Sequence, residues 1–180
     1  MRYFWTVLLF SLTGCVGIPE GIEPVRNFDS KRYLGIWYEV ARLDHSFERG
    51  LEQVTAEYSM RNDGGIKVVN RGFNTESYIW EEAEAKAYFV NENNIAHLKV
   101  SFFGPFYGSY IIFDLGIDYE YALVTSTSKS YFWLLSRSTT IDNKLKIDLI
   151  RRIEKLGFET EDMIFVNQSY EFNRDQIDRD

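Results

Sequence analysis

Eight short runs of alternating apolar and polar residues fill the middle of the chain, at roughly 36–43, 53–61, 65–73, 79–89, 95–103, 106–115, 118–126 and 131–137. A period of two puts one face of each run against a core and the other against water, as in antiparallel strands. Turn signals such as "NDGG" (62–65), "NENN" (91–94) and "STSKS" (126–130) separate several of the runs, so sequence neighbours pair as hairpins. Of only three prolines, Pro19 and Pro24 precede the runs and Pro105 alone falls among them, so little interrupts the ladders. The 17% aromatic content also suits strands. A single helical pattern follows: in "DNKLKIDLIRRIEKLG" (142–157), Leu145, Leu149, Ile153 and Leu156 recur at helical spacing, Asp142 can cap the start, and Gly157 can close the end. Eight sequential strands and one helix fit an up-and-down antiparallel barrel with the helix packed outside. By periodicity alone they fit a two-sheet sandwich equally well.

The ends of the chain carry different information. Met1-Arg2, the apolar run "YFWTVLLFSL" (3–12) and the small residues after it have the layout of a signal peptide over residues 1–14, too short to span a bilayer comfortably. "LTGC" (12–15) resembles the lipobox of bacterial lipoproteins, in which Cys15 would be lipidated and become the mature N-terminus. Cys15 is the one cysteine of the chain, so no internal disulfide is possible. Residues 16–27, "VGIPEGIEPVRN", show no strand or helix period and read as a tether between the lipidated Cys15 and a domain at 28–168. Fully extended, such a tether reaches at most about 40 Å. Val16 stands where an Asp would resemble the inner-membrane retention signal, which points to the outer membrane. Residues 169–180 read as a frayed tail. The formal net charge of −7, without a basic block, argues against nucleic-acid binding.

Particular residues separate barrel from sandwich. "GIWYEVARLD" (35–44) carries Gly35, Trp37 and Tyr38; "DYEYALV" (118–124) carries Asp118 and Tyr119; "WLLSR" (133–137) ends in Arg137. In this order the three stretches resemble the three motifs of the lipocalins. "RYLGIWYEVARLDHSFERGLEQVTAEY" (32–58) and "KVSFFGPFYGSY" (99–110) resemble most the bacterial lipocalins, outer-membrane lipoproteins related to apolipoprotein D. The resemblance implies an eight-stranded up-and-down barrel with one C-terminal helix outside it. It also implies a floor made by Arg137 over the Trp37 ring, and a ligand-sized lumen.

Alternation then selects the lumen. Val54, Ala56, Tyr58 and Met60 in the second run, Ile66, Val68 and Asn70 in the third, and Ala85, Ala87 and Phe89 in the fourth are expected inside. Leu98, Val100 and Phe102 follow in the fifth run, and Tyr107, Ser109, Ile111 and Phe113 in the sixth, although both faces there are apolar. Tyr107 is expected beside an acyl chain, with Tyr88 on the outer face.

Catalytic readings are thin. His45 and Glu48 offer too few ligands for a metal, His97 shares a face with Lys99 and is expected in solvent, and no nucleophile elbow, P-loop or dinucleotide fingerprint occurs. No cofactor or metal is expected. The sequence therefore favours a binding protein holding a fatty acid or lysophospholipid, anchored to the membrane. An isomerase-like enzyme would need a desolvated acid–base pair in the lumen. A surface-acting homodimer would need an apolar patch outside, around Tyr110 and Ile112.

Overall fold

A computed structural model describes residues 16–169. The expected signal peptide, Cys15 and the tail from residue 170 onward lie outside the described residues. Helix α1 (Ser30–Tyr33) precedes eight strands: β1 (Gly35–Arg42), β2 (Leu51–Met60), β3 (Ile66–Asn74), β4 (Ile79–Phe89), β5 (His97–Ser101), β6 (Gly108–Leu115), β7 (Tyr121–Thr125) and β8 (Phe132–Ser136). Helix α2 (Asn143–Lys155) and the two-residue β9 (Ile164–Phe165) follow. Each strand from β2 to β8 pairs antiparallel with the next, and β1 pairs with both β8 and β2. The sheet closes on itself, which removes the open edges a sandwich would keep. Beyond the expected elements, β9 pairs with β1 at Ala41 and Arg42. Neither β9 nor the single turn of α1 is long enough to leave a period in the sequence.

Helix α2 starts where its cap predicts: the Asp142 carboxylate accepts from the Lys144 and Leu145 amides, both at 3.0 Å. Its apolar stripe, with Leu149 and Ile153 fully buried, packs on the outside of β6–β8 against Ile111, Leu123, Phe132 and Leu134. That wall is therefore buried on both faces. The consequence corrects the sixth run. Tyr110 and Ile112 point into the barrel, while Ile111 and Phe113 lie under α2. Tyr107 sits outside, 6.5 Å from the Tyr88 ring and with Lys99 Nζ 5.3 Å from its own ring centroid. A one-residue slip exchanges every side chain between faces, and here a helix made the wrong face equally apolar. With Tyr110 and Ile112 inside, neither residue contributes to an outer apolar patch.

One end of the barrel is shut. Trp37 is wholly buried, its indole Nε1 donates to Tyr33 O at 2.8 Å, and the Arg137 guanidinium lies 4.0 Å from its ring centroid. The same guanidinium donates to Ile36 O, Arg32 O and Leu34 O at 2.7–2.9 Å, tying α1 across the opening. Gly35 carries φ +92°, and a Cβ there would stand 3.5 Å from Arg137. Tyr119 joins the same end: its hydroxyl accepts from the Asp29 amide at 2.8 Å and the Arg32 guanidinium covers its ring at 4.2 Å. Asp118 is almost fully exposed beside Arg32, and Tyr38 is half-buried in the β1–β8 seam.

The stretch read as a tether lies along the barrel. Ile22 is buried, the Val25 amide donates to Ile112 O, Ala96 donates to Val25 O, and Arg26 bridges to Ile95. Higher up, the Ser109 hydroxyl donates to Gly17 O at 2.9 Å. His97 is consequently buried beneath this strap rather than solvated, with Nε2 3.2 Å from the Ser109 hydroxyl.

Candidate ligand-binding cavity

The half of the barrel away from the Trp37 floor holds a cavity of about 240 Å³. Of the residues expected in the lumen, Val54, Ala56, Tyr58, Val68, Val100 and Phe102 line it, as does Asn70. Ala85, Ala87, Phe89 and Leu98 face inward as expected, but they pack in the closed half together with Phe28, Ala96 and Tyr119 and do not line the cavity. Met60 keeps the inward phase opposite Ile66, yet it lies past the floor at the end of β2 and is 52% exposed. Tyr107 and Ile111 are absent from the lining, as their outward phase requires.

Alternation missed Glu39 and Glu48, both buried and both lining the cavity. Glu39 shares the inward phase of Trp37, which is the signal the sequence offered. A register shift in β1 between Glu39 and Ala41 then turns Arg42 to the same face, three residues on, where strict alternation would separate them. The Arg42 guanidinium donates to Glu39 Oε1 at 2.8 Å and to Glu48 O at 2.7 Å. Trp133 Nε1 donates to Glu48 Oε2 at 2.9 Å. His45 Nδ1 lies 3.1 Å from that oxygen, out of line for a hydrogen bond, and its ring packs on Phe47, Tyr131 and Trp133 at 4.7–5.6 Å. Burial first, and then the nearby Glu48 carboxylate, push the Glu39 carboxyl up to about 8 against the opposing pull of Arg42.

At the bottom of the cavity the hydroxyls of Tyr58 and Tyr33 each meet Tyr110, at 2.7 and 2.8 Å. Burial raises all three phenols, so this floor stays neutral. Among the described residues no lysine, arginine or histidine lines the cavity, whose acidic residues are Glu39 and Glu48. Among the described residues no group of three or more His, Cys, Asp or Glu is placed to hold a metal ion.

A closed antiparallel barrel, stoppered at one end by a Trp–Arg pair, hollow at the other and flanked by one helix, defines a lipocalin. The comparisons agree. A family model described as a lipocalin-like domain matches residues 28–168, and the chain belongs to that family. Over 158 residues it is 55% identical to the outer membrane lipoprotein Blc of Vibrio cholerae serotype O1, covering 87% of this chain and 92% of that one. With Escherichia coli K12 outer membrane lipoprotein Blc the identity is 49% over 150 residues, 83% and 85% of the two chains. Apolipoprotein D of Macaca fascicularis is 33% identical, with 82% of this chain and 85% of that one covered. Insecticyanin from Manduca sexta shares the fold at TM-score 0.66 and 17% identity, over 88% of each chain.

Proposed function

We propose that the protein is an outer-membrane lipoprotein that holds one acyl chain, of a lysophospholipid or fatty acid, in the mouth half of its barrel for storage or transport in the envelope. The observation that carries the reading is the cavity itself: apolar walls, a neutral polar floor, and one mouth. At about 240 Å³ it lies just under the usual 300–1,000 Å³ of small-molecule sites, which suits one slender chain better than two. The names of the relatives and the lipobox at Cys15 support the anchor. The Glu48 carboxylate in the lining, with no basic side chain in that lining to meet an anion, favours a ligand whose polar end is neutral or cationic, hence a lysophospholipid over an ionised fatty acid.

Each buried methylene is worth about 0.8 kcal/mol, so affinity should rise about fourfold per added methylene until the cavity is full. Titration of the protein with lysophosphatidylethanolamines and fatty acids of increasing length tests this. A chain-length-independent affinity would remove the lumen as the site. Cys15→Ser should abolish acyl labelling; labelling that persists would remove the anchor.

A second reading has one observation in its favour. Glu39 and Glu48 are the desolvated carboxyl pair that an isomerase-like enzyme would need. Arg42 occupies one Glu39 oxygen, and Trp133 occupies one of Glu48, which fits a structural cluster better. Mass spectrometry of ligand recovered after incubation separates the two: binding returns the ligand unchanged.

A further inference from the structure

Large apolar side chains are exposed unevenly on this barrel. Of the thirteen that stand out, seven sit on the loops and strand ends around the mouth, and only Ile36, Met60 and Ile117 at the shut end. Phe103 is 83% exposed and Phe106 68%, both on the β5–β6 loop, with Phe102 beside them on the cavity wall. Phe47, on the β1–β2 loop, and Trp80, at the mouth end of β4, are exposed at the same end of the barrel. Immediately below, on the outer face, Lys86 and Lys99 flank Tyr107, their Nζ atoms 6.0 and 5.3 Å from its ring centroid. Exposed phenylalanines at a tip with tyrosine and lysines one level down match the layering of a bilayer surface, where rings enter the interface and ammonium groups stay among the phosphates.

The start of the described chain gives the second, independent observation. The strap holds Gly17 by the Ser109 hydroxyl, and Ser109 is the second residue of β6, directly after the aromatic loop. Cys15 is two residues further back in the sequence, and two residues of chain reach at most about 7 Å, so a lipid on Cys15 is tethered close to the point where Gly17 is held. Had the strap been a free tether, the barrel could have faced any direction.

We propose that the mouth of the barrel is seated on the membrane that carries the anchor, with the Phe102–Phe106 loop in the bilayer interface, so that an acyl chain passes between leaflet and cavity without crossing water. The proposal rests on the lipidation of Cys15. The purified lipidated chain, carrying either Phe106→Cys or Ile117→Cys with a fluorescent label on the new thiol, is reconstituted in phosphatidylethanolamine–phosphatidylglycerol vesicles. The label at position 106 should be several-fold less quenched by aqueous iodide than the label at 117, and quenched by spin-labelled lipid where the other is not. Chains that fail to float with the vesicles would overturn the lipoprotein reading and the proposal with it. Chains that float but show equal quenching at both positions overturn the orientation alone. The double variant Phe103→Asp, Phe106→Asp should still float yet take up fluorescent lysophosphatidylethanolamine from the vesicles several-fold more slowly; an unchanged rate counts against the proposal.

Discussion

Two buried titratable residues pull the pH dependence of this protein in opposite directions. Glu39 has a folded-state carboxyl raised to about 8 by burial, so between its ordinary range near 4.5 and about 8 the folded chain binds the extra proton. Stability attributable to Glu39 therefore falls as pH rises across that window. Glu39→Gln removes the titration, and denaturant midpoints of the variant should decline less between pH 5 and pH 8 than those of the native chain. His97 acts at the other limb. Burial under the strap lowers its pKa, so the unfolded chain takes up the proton first as pH drops below about 6.5, and stability falls. His97→Gln should flatten that acid limb; an unaltered limb in urea titrations would mean the strap does not seal the ring. Neither role was legible in the sequence. A strand's alternation says which face a residue takes. It does not say that an N-terminal segment will cover His97, or that a bulge will bring Arg42 round to Glu39.

Helix α2 decides which strands can be read by alternation. Its own register was plain from Leu145, Leu149 and Ile153 and from the Asp142 cap. Strands β2 to β4 largely face water outside, and β5 does so beyond the strap-covered His97, so their inward residues followed from sequence. Strand β6 lies under α2, and there Ile111 and Ile112 are both fully buried, one on each side of the wall. Hydrophobicity cannot choose between two cores. Leu149→Ala, which empties only the outer one, should cost about 2–5 kcal/mol in unfolding experiments while leaving the affinity for lysophospholipid unchanged. A matched loss of binding would mean that the two cores are coupled through β6. By the same geometry Tyr107→Ala and Tyr88→Ala should behave alike in binding assays, since both rings stand outside.

At the scale of the whole molecule the closure depends on one cation. Arg137→Ala loses the contact with Trp37 and leaves the Arg32, Leu34 and Ile36 carbonyls without their donor, a loss expected at about 1–3 kcal/mol. Arg137→Lys should recover only part, because an ammonium cannot lie flat on the indole while reaching three acceptors. Equal midpoints for native chain and both variants in guanidinium would show that the floor stands without it. This end was legible from the sequence because its residues are few and of rare types; the cavity was not, because its volume is what remains after Phe28, Phe89 and Leu98 have packed into the other half. A stoppered barrel also fixes the kinetics of exchange. With one opening, an incoming molecule cannot push out the resident from behind, so the resident must leave first. Displacement of a bound fluorescent lysolipid should then proceed at one rate whatever the concentration of competitor, and the protein works as a vessel that is filled and emptied in turn, never as a conduit.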